Sequence, residues 1–167
     1  LIVSMFFINP INKNSVTILQ RMKHSIIRVG TYLGFPNIHY TYVHGKNERV
    51  HLGRNCSTVN SIFNVISGEI HIGDNTIFGH NCMVLTGTHN FKNGVRASLY
   101  DNELIETPDH GRDIVIGTGC WIGSGAILIG PITIGDNVII GAGSVVTKSL
   151  PDSCFAAGVP AKVIKRH

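Results

Sequence analysis

His89 closes a short polar run, VLTGTHNF (Val84–Phe91), that ends a strongly aliphatic segment. A neutral imidazole, with an ordinary pKa of about 6.5, can accept or return a proton at neutral pH. Trp121 is the single tryptophan of the chain, and WIG (Trp121–Gly123) sets its flat face beside a tight corner. Asn81 stands in a second corner, where its amide could bind a polar group or simply serve the turn. Lys148, Lys162 and Lys165 lie close to the C-terminus and could meet phosphate as point charges. Cys56, Cys82, Cys120 and Cys154 are widely spread with no C-x-x-C pair, which argues against a zinc ribbon or a redox couple. There is no G-x-S-x-G elbow and no P-loop, and Gly141-Ala142-Gly143 is no dinucleotide fingerprint. Each residue also has a plainer role, as a surface, capping or filling side chain.

The elements that hold these residues follow from a rhythm. An aliphatic residue recurs at every sixth position: Ile116, Ile122, Leu128, Ile134, Ile140 and Val146. Glycine directly follows four of them, at Gly117, Gly123, Gly135 and Gly141. The same phase runs through Ile72, Phe78 and Val84, is joined by Ile66, and begins less regularly at Leu52-Gly53. Four residues after these positions stands a smaller or β-branched partner, as at Cys56, Thr76, Cys82, Cys120, Ala126, Val138 and Ser144. Three cysteines fall in that set, so they read as small buried fillers. A period of six fits neither an amphipathic helix nor a long alternating strand. It fits very short strands joined by corners of Gly, Asn and Asp, where positive φ costs little. Three hexads close one triangular coil, and residues one coil apart stack at about 4.8 Å. The chain is therefore expected to be an all-β solenoid in which Ile116 stacks on Ile134, Ile122 on Ile140 and Leu128 on Val146.

The rhythm breaks after His89. The next inward position would be Asn90, a poor core residue, and the phase returns at Ile116, with His110 one hexad before it. A loop over about residues 90–110 must leave the coil there. Long irregular loops in compact repeats usually carry function. If the loop replaces no complete hexad other than the one at His110, His89 and Trp121 end successive sides.

The segment CWIGSGAILIGPITIGDNVIIGAGSVVTKSLPDSCFAAGVPAKVIK (Cys120–Lys165) resembles the galactoside and maltose O-acetyltransferase group of the hexapeptide-repeat family, together with relatives that acetylate bacterial capsule or O-antigen polysaccharides. WIG, PITIGDN, IGAGSVVTK and AGVPAKVI carry the resemblance, which extends over roughly residues 66–166. It implies a left-handed parallel β-helix, a homotrimer with sites at subunit interfaces, and acetyl-CoA as the acetyl donor. It implies His89 as general base, Trp121 lining the acceptor pocket, and Asn81 as a polar site residue. For coenzyme A it implicates Ser124, Ala142, Thr147, Lys148, Lys162 and Lys165. The acceptor would be a sugar or polysaccharide hydroxyl, and the basic charge balance permits an acidic one such as a sialic-acid polymer. Asp101, Glu103, Glu106, Asp109 or backbone could orient the imidazole. An N-acetyltransferase of an amino sugar or small amine, and a non-catalytic binding solenoid, are the alternatives. An ice-binding solenoid would want repeated Thr-x-Thr rows, and Thr86-Gly87-Thr88 occurs once. A zinc carbonic anhydrase on the same solenoid needs three histidines around an open metal position. His39 and His44 are expected outside the coils, and His71, His80 and His89 form no obvious trio, so no metal is expected.

Composition agrees with one ordered domain: 43% hydrophobic, 14% charged, and nineteen glycines in 167 residues. The net charge of +4 weakly favours anionic partners, with no sign of nucleic-acid recognition. No apolar run reaches membrane-spanning length. LIVSMFFINP lacks a basic front and a small-residue cleavage site, so it reads as a cut end and not a signal peptide, with the cytoplasm as the expected compartment. Residues 1–50 are expected to form a helix over Asn14–Gly34 and a strand over Ile38–Val43, and residues 51–167 the solenoid with its tail.

Overall fold

A computed structural model describes residues 41–97 and 107–167. Short parallel strands stack into three long ladders, one on each side of a β-solenoid. The first side carries β2 (Val50–Leu52), β5 (Ile70–Ile72), β10 (Ile114–Ile116) and β13 (Ile132–Ile134). The second carries β3 (Ser57–Thr58), β6 (Ile77–Phe78), β11 (Trp121–Ile122), β14 (Ile139–Ile140) and β16 (Cys154–Gly158). A last strand, β17 (Ala161–Arg166), turns back antiparallel on β16. The third side carries β1 (Tyr42–His44), β4 (Ile62–Asn64), β7 (Met83–Leu85), β12 (Ile127–Ile129) and β15 (Val145–Val146). The chain visits the three sides in rotation, so each strand pairs with the strand one coil away.

The stacking pairs expected from the hexads are present: Ile116 with Ile134, Ile122 with Ile140, and Leu128 with Val146. All six of these residues are buried. The small partners Thr76, Cys82, Cys120, Ala126, Val138 and Ser144 are buried beside them. Corner residues form ladders of their own. Asn55, Asn75, Gly119 and Asn137 have φ between 56° and 69°, a region that asparagine and glycine enter at low cost. Gly123 meets a second demand: a Cβ there would lie 2.5 Å from the backbone nitrogen of Ala142 on the next coil.

Several expectations about the coils need correction. Ile66 does not occupy a rung: Phe63, fully buried, pairs with Val84, while Ile66 is only half-buried. The corner between Asn64 and Ile70 is wider than a hexad allows, because it tucks Val65 and Ser67 inward. His110 begins no hexad. Ile116 stacks directly on Ile72, so the side after Val84 resumes at β10, and His110 stays exposed. His44 lies in the coils and not outside them, since β1 pairs with β4. Residue 51, the expected start of the solenoid, falls inside β2. The expected helix over 14–34, and the first part of the strand over 38–43, lie outside the described residues.

The extruded segment runs from Thr86 to Asp113, and a small antiparallel hairpin, β8 (Phe91–Lys92) and β9 (Val95–Arg96), follows the exit. The insertion leaves the coil register unchanged on both sides. Across it, Ile114, Val115 and Ile116 pair with Ile70, His71 and Ile72 as closely as they pair with Ile132, Thr133 and Ile134 on the other flank.

Burial pushes the thiols of Cys82, Cys120 and Cys154 up from their ordinary range, which removes the reactive thiolate. Cys56 is only half-buried. Brief iodoacetamide treatment of native protein is expected to alkylate Cys56 first, and the other three only after unfolding. Peptide mass spectrometry reads the order directly, and rapid native labelling of Cys120 would contradict it.

Candidate functional site

The site begins with the corner that the chain uses to leave β7. Thr86 is fully buried, and its Oγ1 donates to the carbonyl of Asn64 at 2.9 Å. The same oxygen accepts the N–H of Ser67 at 3.2 Å. Ser67, also fully buried, accepts the N–H of Thr88 on its Oγ at 3.3 Å. Asn64 Oδ1 accepts the N–H of Ile66 at 3.0 Å. Gly87 lies flat against the Asn64 amide, where a Cβ would stand 2.7 Å from Nδ2. Buried polar groups carry a cost unless they are paired, and here each pairing fixes part of the turn that presents His89. Ser67→Ala would leave the Thr88 N–H without its acceptor and is expected to cost about 1–3 kcal/mol. Urea unfolding of the variant checks this, and an unchanged midpoint would refute it.

Two arginines hold the stem of the insertion. Arg112, just before β10, donates its Nε to the Thr86 carbonyl at 2.9 Å and an Nη2 proton to the Gly130 carbonyl. Arg49 donates Nη1 to the carbonyls of Val65 and Ile66, both at 3.2 Å, and to that of Asp109 at 2.6 Å. The exit and return of the loop are thereby tied to the coil and to each other.

His89 is exposed at the mouth of a cavity of about 300 Å³ lined by His44, Asn64, Ile66, Thr88 and Thr107 as well. His44 and Asn64 reach it because they are register partners on adjacent strands. Periodicity in the sequence did not reveal either one: β1 has no hexad signature, and Asn64 follows the misplaced rung at Phe63. Of the acids expected near His89, Asp109 pairs with His110, which holds its carboxyl below the usual range. Asp101, Glu103 and Glu106 lie outside the described residues.

One protomer does not gather the three expected catalytic residues. His89 follows the third side, Trp121 opens β11 on the second, and Asn81 turns the corner between the second and third with φ of 59°. Trp121 is 54% exposed, flanked in register by Ile77 and Ile139. The expected coenzyme residues also divide. Ser124 and Ala142 are exposed on the corner that Asn81 shares, and the Ser124 Oγ accepts the His80 N–H at 3.1 Å. Thr147 and Lys148 are exposed on the corner after β15, in line with the corner of His89. Lys162 and Lys165 are exposed on β17, opposite Ala157 and Phe155.

A second cluster escaped the sequence reading altogether. His51, Glu69 and His71 converge on the outer face of the first side. His51 and His71 are register partners, which a search by the hexad phase alone could not show.

Residues 113–148 match the model of the bacterial transferase hexapeptide (six repeats). The chain is 35% identical over 130 residues to the galactoside O-acetyltransferase of Escherichia coli strain K12, covering 78% of this chain and 58% of that protein. It is 36% identical over 100 residues to an Escherichia coli protein named for acetylation in colanic acid biosynthesis, covering 60% of this chain and 49% of the other. The solved structure of a galactoside acetyltransferase in complex with coenzyme A superimposes with a TM-score of 0.64 at 34% identity, covering 75% of this chain and 58% of that one. The chain thus spans about half to three fifths of the length of these relatives. Among the described residues, no helix is long and apolar enough to cross a membrane. With the six-residue rhythm laid out as stacked coils and residues 113–148 matched by the family model, the chain carries the hexapeptide repeat of bacterial transferases.

Proposed function

We propose that the chain is an O-acetyltransferase that moves an acetyl group from acetyl-CoA to a sugar hydroxyl. The observation that carries the proposal is the placement of His89: it opens on a cavity of about 300 Å³ at the corner where the solenoid extrudes its insertion. The similarity to galactoside acetyltransferases, one of them in complex with coenzyme A, supports both the donor and the acceptor class. The relative named for colanic acid biosynthesis supports a bacterial surface polysaccharide, or its precursor, as the acceptor.

In this mechanism the His89 imidazole accepts the proton of the acceptor hydroxyl as its oxygen attacks the thioester carbonyl carbon. A carbon–oxygen bond forms, and backbone N–H groups stabilise the oxyanion. The carbon–sulfur bond then breaks, and the imidazolium returns its proton to the departing thiolate. The raised thiol pKa values of the buried cysteines favour this direct attack over an acyl-cysteine. Thr147 and Lys148, on the His89 corner, suit the donor arm, and Lys162 and Lys165 suit its phosphates. Asn81 and Trp121 sit on other corners, so they join His89 only if a neighbouring subunit supplies them. A homotrimer with interfacial sites does this. The cytoplasm, where acetyl-CoA is made, is the compartment that suits the donor.

The test is coenzyme A release from acetyl-CoA across a panel of sugars and capsular polymers. Acceptor-dependent release with an alkali-labile product is expected. An alkali-stable product would mean amide formation and an N-acetyltransferase. Neither acetyl-CoA binding nor release would overturn the enzyme reading in favour of a binding solenoid.

A further inference from the structure

We propose that His51, Glu69 and His71 form a site for a divalent transition-metal ion of the zinc type, which fastens the first coil to the second. His51 and His71 are register partners on β2 and β5 and point outward from the same face. Their rings stack with centroids 4.4 Å apart and planes 10° apart, so the two edges run side by side. Glu69 stands just before β5, and its Oε2 lies 2.9 Å from His51 Nε2 and 3.3 Å from His71 Nε2. Both imidazoles address one carboxylate oxygen, and all three donor atoms lie within 4.8 Å of one another.

Those separations are close to the ones an ion demands, and a turn of the half-exposed rings out of their parallel stack would aim both Nε2 lone pairs at one ion. Zinc binds imidazole nitrogen and carboxylate oxygen at about 2.0–2.2 Å, which puts neighbouring donors in a tetrahedral shell roughly 3.3 Å apart. Two of the three separations are already at or near that value. Two nitrogens and one carboxylate suit Zn²⁺, Co²⁺ or Ni²⁺ and not Ca²⁺ or Mg²⁺, which prefer oxygen shells. The backbone of Glu69 is itself positioned, because its N–H donates to Asp113 Oδ1 at 2.8 Å. The three side chains are 45–47% exposed, so water can complete the shell from the solvent side.

The location gives the ion a structural purpose. Among the described residues β2 is the terminal strand of its side, paired only with β5. Leu52 at its end is 52% exposed, so this strand is held by less packing than the rungs beyond it. An ion that bridges β2 and β5 adds its binding free energy to the stability of the coil end. It also lies on a different face from the corner that bears His89, and it does not depend on acetyl transfer.

The test uses chelator-stripped full-length protein titrated with Co²⁺, whose ligand-field spectrum reports the site, and with Zn²⁺ as competitor. One ion per chain is expected, displaced by Zn²⁺, together with a higher melting temperature when metal is present. His51→Asn combined with His71→Asn should abolish the spectrum and the thermal shift. Glu69→Gln, which keeps the shape, should weaken binding at least about tenfold and serves if the double variant fails to fold. His110→Asn, which removes the exposed pair with Asp109, should bind as wild type does. No stoichiometric uptake by the wild type, or uptake and thermal shift unchanged in Glu69→Gln, would overturn the site.

Discussion

Replacing His89 with alanine is expected to lower kcat for acetyl transfer by about 10²–10⁴-fold. Below pH 9 a sugar hydroxyl is protonated almost entirely, so the attack depends on a positioned acceptor for that proton. His89 is exposed, and the hydrogen bonds that Thr86 and Ser67 make to hold its turn run to backbone groups and not to the imidazole. The variant should therefore fold and melt as the wild type does, and should still bind acetyl-CoA. Loss of rate with donor affinity preserved separates a role in proton transfer from a role in binding. His44 lines the same cavity and is a candidate to carry the residual rate, so the double variant His44→Ala/His89→Ala should fall further. A kcat within about threefold of wild type in His89→Ala would remove the general-base assignment. The measurement is initial-rate coenzyme A release at saturating acceptor, paired with calorimetric titration of the donor.

The largest effect on stability is expected at Leu128. It is fully buried and pairs with Val84 on one side and Val146 on the other, in the ladder that also holds Phe63. Leu128→Ala should cost about 2–5 kcal/mol, the transfer term plus the cavity left behind. The upper half of that range is favoured here. Val84 is fixed by backbone pairing to the coils on both sides and Val146 by pairing with the Leu128 strand itself, so the ladder closes poorly over the gap. A stacked repeat also loses both adjacent interfaces when one rung is emptied. Urea unfolding of wild type and variant measures the difference. A loss below about 1 kcal/mol would mean that the coils slide together more freely than their register implies.

How far the sequence was legible depended on how regular each coil is. From Ile116 to Val146 every rung repeats at one spacing, with an aliphatic residue inward and a turn former at the corner, and the stacking pairs could be read directly. In the earlier coils the corner between Asn64 and Ile70 is widened by the inward turn of Val65 and Ser67. That shift displaced the rung from Ile66 to Phe63 and hid the membership of β1 in the first coil. His89 was legible because it stands where the rhythm stops. His44 and Asn64 were not, since only the register of β1, β4 and β7 brings them to the cavity. The His51–Glu69–His71 cluster was hidden for the same reason: its members are near one another across coils and unremarkable along the chain. Of the residues expected to meet coenzyme A, Ser124, Ala142, Thr147 and Lys148 are exposed on corners and Lys162 and Lys165 are exposed on β17.

The unbroken register across the insertion has a further consequence. Ile114–Ile116 stacks on Ile70–Ile72 as if no residues intervened, so the scaffold does not sense how long the loop is. Doubling a flexible loop adds only about 0.6 kcal/mol of closure entropy. Arg112 and Arg49 clamp its base whatever its contents. Residues between the clamps can therefore be lengthened, shortened or exchanged without refolding the support. In evolutionary terms the stem is a socket, and what is plugged into it can be exchanged while the support stays as it is.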